Sequence, residues 1–495
     1  MDSKERLNSF YATLKELYHF GSIGSLLGWD QQTYMPPKAA NGRAEQQEAL
    51  SRLLHQKFTN PAFVAVANEL AAELSALSKD DQVNVRETKR ELDRTLKLSE
   101  DFVAERTRVH SLSYVAWTKA RPANNFKEMQ PHLEKIVELS RREAELVGFE
   151  GSAYNALLDV YEPHARIEVV KPLLMRLGEG LAKLIPAITA KQGEVPELKG
   201  DFPEELQAKF CMKVLKDIGY DFAAGRLDKT HHPFESSVGP QDVRVTTRYQ
   251  QDNYLSGLFT ALHEGGHALY EQGLPAAAKG TPLGSAVSLG IHESQSRFWE
   301  NLVGRSHQFS QYLHASLKNI FPAEHSRLKP DDIWKLVNCV RPSLIRVEAD
   351  EVTYSLHVVI RMLLEESLIS GELKVADLPA AWNELYRKYL AVEVPNDKDG
   401  VLQDVHWYSG MIGYFPTYAL GNLYGAMLLE ACKASILDYD QCLEEGEFEP
   451  IKTWLWHSVH KQGMRYTAPE LIKKVTGAEV TEQPFLNYVR SKFAL

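Results

Sequence analysis

The sequence predicts a mainly α protein with one small β-sheet, on three observations. Apolar residues recur at helix-type spacings through most of the chain. A single stretch alternates with a period of two. No internal repeat or low-complexity linker divides the 495 residues. One domain is therefore expected, with an N-terminal helical lobe over about 1–200 and a chemistry-bearing lobe over about 201–495.

The first segment, Leu7 to Leu27, carries Leu7, Phe10, Tyr11, Leu14, Leu17 and Tyr18 at three- and four-residue spacings. The run from Trp29 to Pro37 breaks it, since prolines stop a helix. Further helical stretches are expected near 42–56, 61–78, 80–109, 127–147 and 166–192. The stretch 80–109 is densely charged and reads as a solvated helical face. Between His231 and Tyr249 the pattern changes. Val243, Val245 and Thr247 alternate with Asp242, Arg244 and Thr246, the signature of a strand with one apolar and one polar face. The polar face reads as a solvated edge, or as an edge beside a cleft that pairs with an extended peptide.

Composition narrows the function classes. A hydrophobic fraction of 44% and a charged fraction of 25% are ordinary for a globular protein. A formal net charge of -10 argues against a general nucleic-acid surface. Cys211, Cys339, Cys432 and Cys442 form no C-x-x-C pair, so free thiols in a reducing compartment are expected rather than a thiolate metal site or a disulfide framework. No apolar run is long enough to span a bilayer, and no signal-like apolar region follows Met1–Arg6. The expected location is the cytosol.

The segment Tyr254 to Gln272 has helix spacing and is closed by Gly273 and Pro275. It contains His263-Glu264-x-x-His267. Histidines at i and i+4 project from one helix face, so their rings can converge on one tetrahedral zinc. Glu264 stands where its carboxylate can reach a zinc-bound water, the general-base position of H-E-x-x-H peptidases. Gly265 and Gly266 each cost a helix interior roughly 1 kcal/mol. They imply a close approach to the backbone, either by substrate or by a packed helix. The extended metzincin motif fails, because Tyr270 and Gly273 occupy its Gly and His positions. A third ligand must come from further along. Glu293 and Glu300 share one helical face, and spacing prefers neither.

Two more clusters carry polar groups in apolar surroundings. Residues 344–364 read as a buried helix, on which Arg346, Asp350, Thr353 and His357 form one polar stripe. Either Arg346 and Asp350 pair internally, or the stripe lines a cleft. The segment Gly400–Trp407, with Tyr408 and Gly413–Tyr418 beyond it, offers His406 and Tyr418 as donors to an oxyanion.

Together these segments resemble the thermostable-carboxypeptidase family, number 32 among the metallopeptidases, over essentially the whole chain. The family's five motifs match in order as Asp242–Thr246 (Asp-x-Arg-x-Thr), His263–His267 (H-E-x-x-H), His292–Gln295 (His-Glu-Ser/Gly-Gln), Ile345–Asp350 (Ile-Arg-x-x-Ala-Asp) and Gly400–Trp407 (Gly-x-x-Gln-Asp-x-His-Trp). Trp29-Asp30 with Thr33–Pro36 is also similar. The resemblance implies a large helical body with a deep substrate groove, like that of neurolysin and angiotensin-converting enzyme. It implies Glu293, rather than Glu300, as third ligand of one zinc ion (Zn2+) per chain, with Co2+ able to replace it. It also implies a cytosolic homodimer that removes C-terminal residues one at a time with broad specificity. On that reading Glu264 is the base, and zinc with a nearby His or Tyr, His406 and Tyr418 being the candidates, stabilises the oxyanion. Arg346 or Arg244 binds the terminal carboxylate, with Asp242, Thr246 and Asp350 around it.

Overall fold

In the computed structural model, which describes residues 2–239 and 241–495, 21 α-helices and a single three-stranded sheet make up the regular structure among the described residues. The first helix runs Ser3–Thr33, past the expected end at Leu27, and stops only where Pro36 and Pro37 remove the next donors. The charged stretch 80–109 is two helices, Lys79–Leu96 and Glu100–Ala120, because Ser99 caps the second by accepting from the Phe102 N–H. Its charges are not simply solvated. Glu87 is buried and ion-paired with Arg86 and Arg90.

Two apolar clusters hold the molecule. A small one joins Phe10 and Leu14 of the first helix to Phe63, Val66, Leu70, Val85 and Leu92. The large one runs from Phe102 to Val489 and contains the whole region that carries the motifs. The sheet has strands β1 (Leu227–Lys229), β2 (Glu235–Gly239) and β3 (Asp242–Thr247), in the order β1-β3-β2. The central strand β3 is parallel to β1 and antiparallel to β2. Val243 and Val245 are fully buried, as alternation predicts. The polar face is not a solvated edge, however. Thr246 is buried and both donates to the Phe234 carbonyl and accepts from its N–H. Because β3 is central, both its backbone edges are already paired.

The motif helix, Tyr254–Gly273, starts where the Asn253 side chain accepts from the Leu255 and Ser256 N–H groups. Thr247 of β3 donates to its Gly257 carbonyl at 2.9 Å and so ties sheet to helix. The ligand helix, Leu289–Arg297, crosses the motif helix at Gly266 and continues into a π-helical stretch, Phe298–Val303. A Cβ on Gly266 would lie 2.5 Å from the Gln295 carbonyl oxygen and 2.7 Å from the Ser296 Cα. The close approach implied by the two glycines is therefore helix on helix, not substrate on helix. Gly421, in the helix Pro416–Ser435, makes the corresponding approach from the other side, where a Cβ would meet Glu293 Cγ at 2.7 Å.

This geometry separates the two motif glycines experimentally. In Gly266→Ala the obstruction is backbone, which cannot yield, so overpacking of about 1–3 kcal/mol outweighs the roughly 1 kcal/mol that Ala contributes to helix propensity. At Gly265 the obstruction is the Leu215 Cδ2 methyl at 2.4 Å, the end of a side chain that can rotate away. Denaturant unfolding should find Gly266→Ala clearly destabilised and metal-depleted, with Gly265→Ala close to wild type. Equal stability of the two would remove the packing explanation.

Candidate metal centre

His263 and His267 project from one face of the motif helix, and Glu293 meets them from the ligand helix. The candidate ligand atoms of these three residues all lie within 4.8 Å of one another. Glu293 Oε2 is 3.8 Å from His263 Nε2 and 3.6 Å from His267 Nε2. The other ring nitrogens are occupied. His263 Nδ1 pairs with Glu300 Oε2 at 2.8 Å. His267 Nδ1 pairs with His292 Nδ1 at 2.5 Å, and His292 Nε2 reaches Glu271 Oε1 at 3.3 Å. Anchoring each Nδ1 to a partner leaves each Nε2 to a metal, the usual arrangement behind a ligating histidine. Two imidazole nitrogens and one carboxylate oxygen, converging with their outer atoms already bonded, fit a divalent ion with a coordination position left open.

The choice that spacing left open is thereby decided. Both glutamates turn toward His263, but Glu293 faces the Nε2 side with the second histidine, whereas Glu300 holds Nδ1. The burial of His267, with the neighbouring His292 and His263 rings, holds it well below the ordinary histidine range and so neutral. At His263 burial also works against charge, but the Glu293 and Glu300 carboxylates override it and raise the ring.

Glu264 lines the adjoining cavity, and its carboxylate accepts no hydrogen bond from the described residues. Burial pushes its carboxyl up to about 7, with Glu293 and Glu300 adding to the effect and His263 opposing it. The cavity has a volume of about 640 Å³ and is lined by His263, Glu264, Arg297, Arg346, Tyr354 and Tyr418 among others.

The polar stripe expected on one helix does not exist. The helix begins at Glu351, and Arg346 lies before it in a 3-10 turn. Asp350 is the N-cap, accepting from the Val352 and Thr353 N–H groups, and also from the Arg341 N–H. The preference of Asp for that role ends the helix four residues beyond Arg346. Arg346 therefore does not pair with Asp350. Its Nε and a terminal nitrogen donate to Asp404 Oδ1 at 3.0 and 2.8 Å, and its third nitrogen donates to the Tyr354 hydroxyl at 2.8 Å. Arg361, fully buried on the helix, donates from Nε to the other Asp404 oxygen at 2.6 Å and packs on Trp382. Asp404 and Arg361 were not among the residues singled out from the sequence. Asp404 stood in a matched motif without a role, and Arg361 was one charge on an apolar helix.

The two oxyanion candidates come together loosely, with His406 Nε2 3.4 Å from the Tyr418 hydroxyl. Tyr418 lines the cavity. His406 lies among Tyr414, Phe415 and Tyr418, and burial lowers its ring to about 4 despite Asp404 nearby. Arg244 is not in the cavity wall. It forms a two-pronged pair with Asp242, at 2.7 Å each, and stacks over Trp29 at 4.2 Å.

Known proteins share this arrangement end to end. The profile of the carboxypeptidase Taq (M32) metallopeptidase family matches residues 9–493. The chain belongs to that family. It is 42% identical to thermostable carboxypeptidase 1 of Thermus thermophilus, over 97% of this chain and 96% of that protein. It is 36% identical to carboxypeptidase 1 of Bacillus subtilis, over 98% and 97%. Among solved structures, an M32 carboxypeptidase from Deinococcus radiodurans is 38% identical and superposes with a TM-score of 0.96, covering 99% of both chains. Metallocarboxypeptidase 1 of Trypanosoma cruzi is 32% identical with a TM-score of 0.96, over 99% of this chain and 100% of that one. The M32 fold and the metallocarboxypeptidase class, a peptide hydrolase with a His-His-Glu metal site, follow for this chain. No described helix is long and apolar enough to cross a membrane.

The two glutamates should part in metal analysis. Glu293→Ala should lose its ion on dialysis. Glu300→Ala should retain about one per chain, at an affinity lowered by about 10–100-fold, the usual consequence of removing a ligand's hydrogen-bond partner. Full metal content in Glu293→Ala would exclude it as a ligand.

Proposed function

We propose that this chain is a zinc-dependent carboxypeptidase that removes residues one at a time from peptides with a free C-terminus, using Glu264 as general base. The observation that carries the reading is Arg346, a buried guanidinium in the cavity wall whose one carboxylate partner is shared with a second arginine behind it. Two guanidinium groups, Arg346 and Arg361, share the single carboxylate of Asp404. Arg346 uses three of its five N–H groups within the protein, and it lines the cavity. A buried charge needs a partner, and the C-terminal carboxylate of a peptide supplies one. Arg244 fits that task less well, since Asp242 already neutralises it. Asp242 and Thr246 serve the substrate side indirectly, by bracing Arg244 and the Phe234 turn, whereas Asp350 lines the cavity and caps the helix beside Arg346.

The donor set of His263, His267 and Glu293 suits one zinc per chain, with cobalt as an acceptable substitute. The bound ion supplies Lewis acidity and makes a water acidic enough to lose a proton near neutral pH. Glu264, in the cavity wall beside the ligand set, is placed to take a proton from the attacking water and deliver it to the leaving amine. Burial raises this carboxyl in the metal-free chain, the direction that helps a carboxylate hold and then release a proton. Burial and the neighbouring Tyr354 and Tyr414 hold the Tyr418 phenol well above its ordinary range, so it stays protonated and can donate to the developing oxyanion. The neutral His406 ring supports Tyr418 from behind. The resemblance to the family is also the ground for expecting a homodimer and a cytosolic location.

Glu264→Gln should keep its metal and its unfolding midpoint while losing turnover by on the order of 10²–10⁴-fold, measured on a short peptide. Near wild-type turnover would refute the assignment of the base.

Carboxylate recognition has its own test. A hydrogen bond to a charged group contributes roughly 1.5–3 kcal/mol. C-terminal amidation should therefore lower kcat/KM by about tenfold to a hundredfold. In Arg346→Met the free and amidated peptides should be cleaved more nearly alike. Mass analysis of the products should find a ladder of single-residue losses. Release of dipeptides, or equal cleavage of free and amidated peptides by the wild type, would favour a dipeptidyl carboxypeptidase or an oligopeptidase.

A further inference from the structure

Arg297 is a buried cation that the proposed chemistry leaves unused. It ends the ligand helix, with its side chain 13% exposed, at the start of the π-helical stretch. Its Nε donates to Glu293 Oε1 at 2.7 Å, the oxygen that faces away from the two histidines. A terminal nitrogen donates to Glu300 Oε2 at 3.2 Å, the same oxygen that accepts from His263 Nδ1. Its guanidinium plane lies over the Tyr354 ring at 4.4 Å. Arg305 closes the cluster by donating to Glu300 Oε1 at 3.1 Å.

We infer that Arg297 is the positioning residue of the metal centre, fixing Glu293 directly and His263 through Glu300. The inference rests on the metal-site reading above. Four features carry it. A guanidinium presents rigid, divergent donors, so one side chain can hold two carboxylates in a fixed relation. Arg297 holds Glu293 at Oε1 while the Ser296 hydroxyl donates to Oε2 at 3.2 Å, so the carboxylate enters the site in one fixed orientation. Glu300 is oriented from both sides, by Arg297 and Arg305, with His263 the only group it holds in turn. The π-helical turn that carries Glu300 is a rare geometry found mostly at functional sites.

A competing effect has the opposite sign. A cation beside a metal repels it, so removing Arg297 leaves a more negative site and could tighten binding. Two substitutions separate charge from geometry. Arg297→Met removes the charge but keeps an apolar stem against Tyr354. Arg297→Lys keeps the charge but loses the planar fork. The metal-stripped full-length proteins are titrated with zinc against a chromophoric chelator, beside thermal unfolding of the metal-free forms. Wild type should bind one zinc per chain. If it binds none, the metal-site reading itself fails. With wild-type binding established, Arg297→Met should bind zinc about 10–100-fold more weakly, and Arg297→Lys should fall in between, a partial rescue. Should the Met variant not fold, the Lys variant decides alone, with weaker binding supporting the inference and wild-type binding overturning it. Tighter binding by Arg297→Met, or wild-type affinity in both variants with only KM altered, would overturn the positioning role and make Arg297 a charge-tuning or substrate-contacting group.

Discussion

Everything in this site depends on how closely three helices approach one another. The two histidines lie on the motif helix and the third ligand on its neighbour, so a metal can bridge them only if the two backbones nearly touch. Gly266 allows that on one side, against the Gln295 carbonyl. Gly421 allows the helix Pro416–Ser435 to press on Glu293 from the other. Each of these positions gives up a side chain where a core would ordinarily bury one, and each, lying within a helix, gives up helix propensity as well. The sheet completes the seating, since β3 packs Val243 and Val245 inward and ties its Thr247 hydroxyl to the motif helix.

Charge balance around the cavity divides into two kinds of cluster. Beside the metal ligands, Glu293 and Glu300 are matched by Arg297 and Arg305, and every one of these groups is hydrogen-bonded. Such a matched cluster can hold geometry without attracting further charge. Around Asp404 the count is unequal, with Arg346 and Arg361 on one carboxylate. His357 and His406 do not add to the surplus, because burial lowers both rings and keeps them neutral. The positive charge therefore falls on guanidinium groups that cannot shed a proton. Arg346 is the member of this pair that reaches the cavity, where its remaining N–H groups are free to meet an anion.

What was legible in the sequence was whatever depends on local spacing. The i, i+4 histidines needed only the helical period, and the period-two run at 242–247 needed only alternation; both elements occur where their residues lie. Glu264 was readable for the same reason. Long-range choices were not. Spacing could not separate Glu293 from Glu300, since seven residues bring both to the same helix face. The stripe assigned to Arg346, Asp350, Thr353 and His357 assumed a helix that the Asp350 cap forbids, and a periodicity cannot reveal where a cap will interrupt it.

The sequence by itself determined the helical class, the small sheet and the H-E-x-x-H motif with Glu264 in it. These follow from covalent periodicity and from the chemistry of single residue types. The tertiary structure brings Glu293 to the histidines, as the family resemblance implied and spacing could not, and it alone decided which carboxylate receives Arg346 and that the motif glycines serve helix packing. Each of those outcomes turns on groups far apart in the chain, such as Arg346 and Asp404, whose meeting is set by how buried surfaces close on one another. A buried charge takes whichever partner the packing delivers, and no rule of local spacing contains that information.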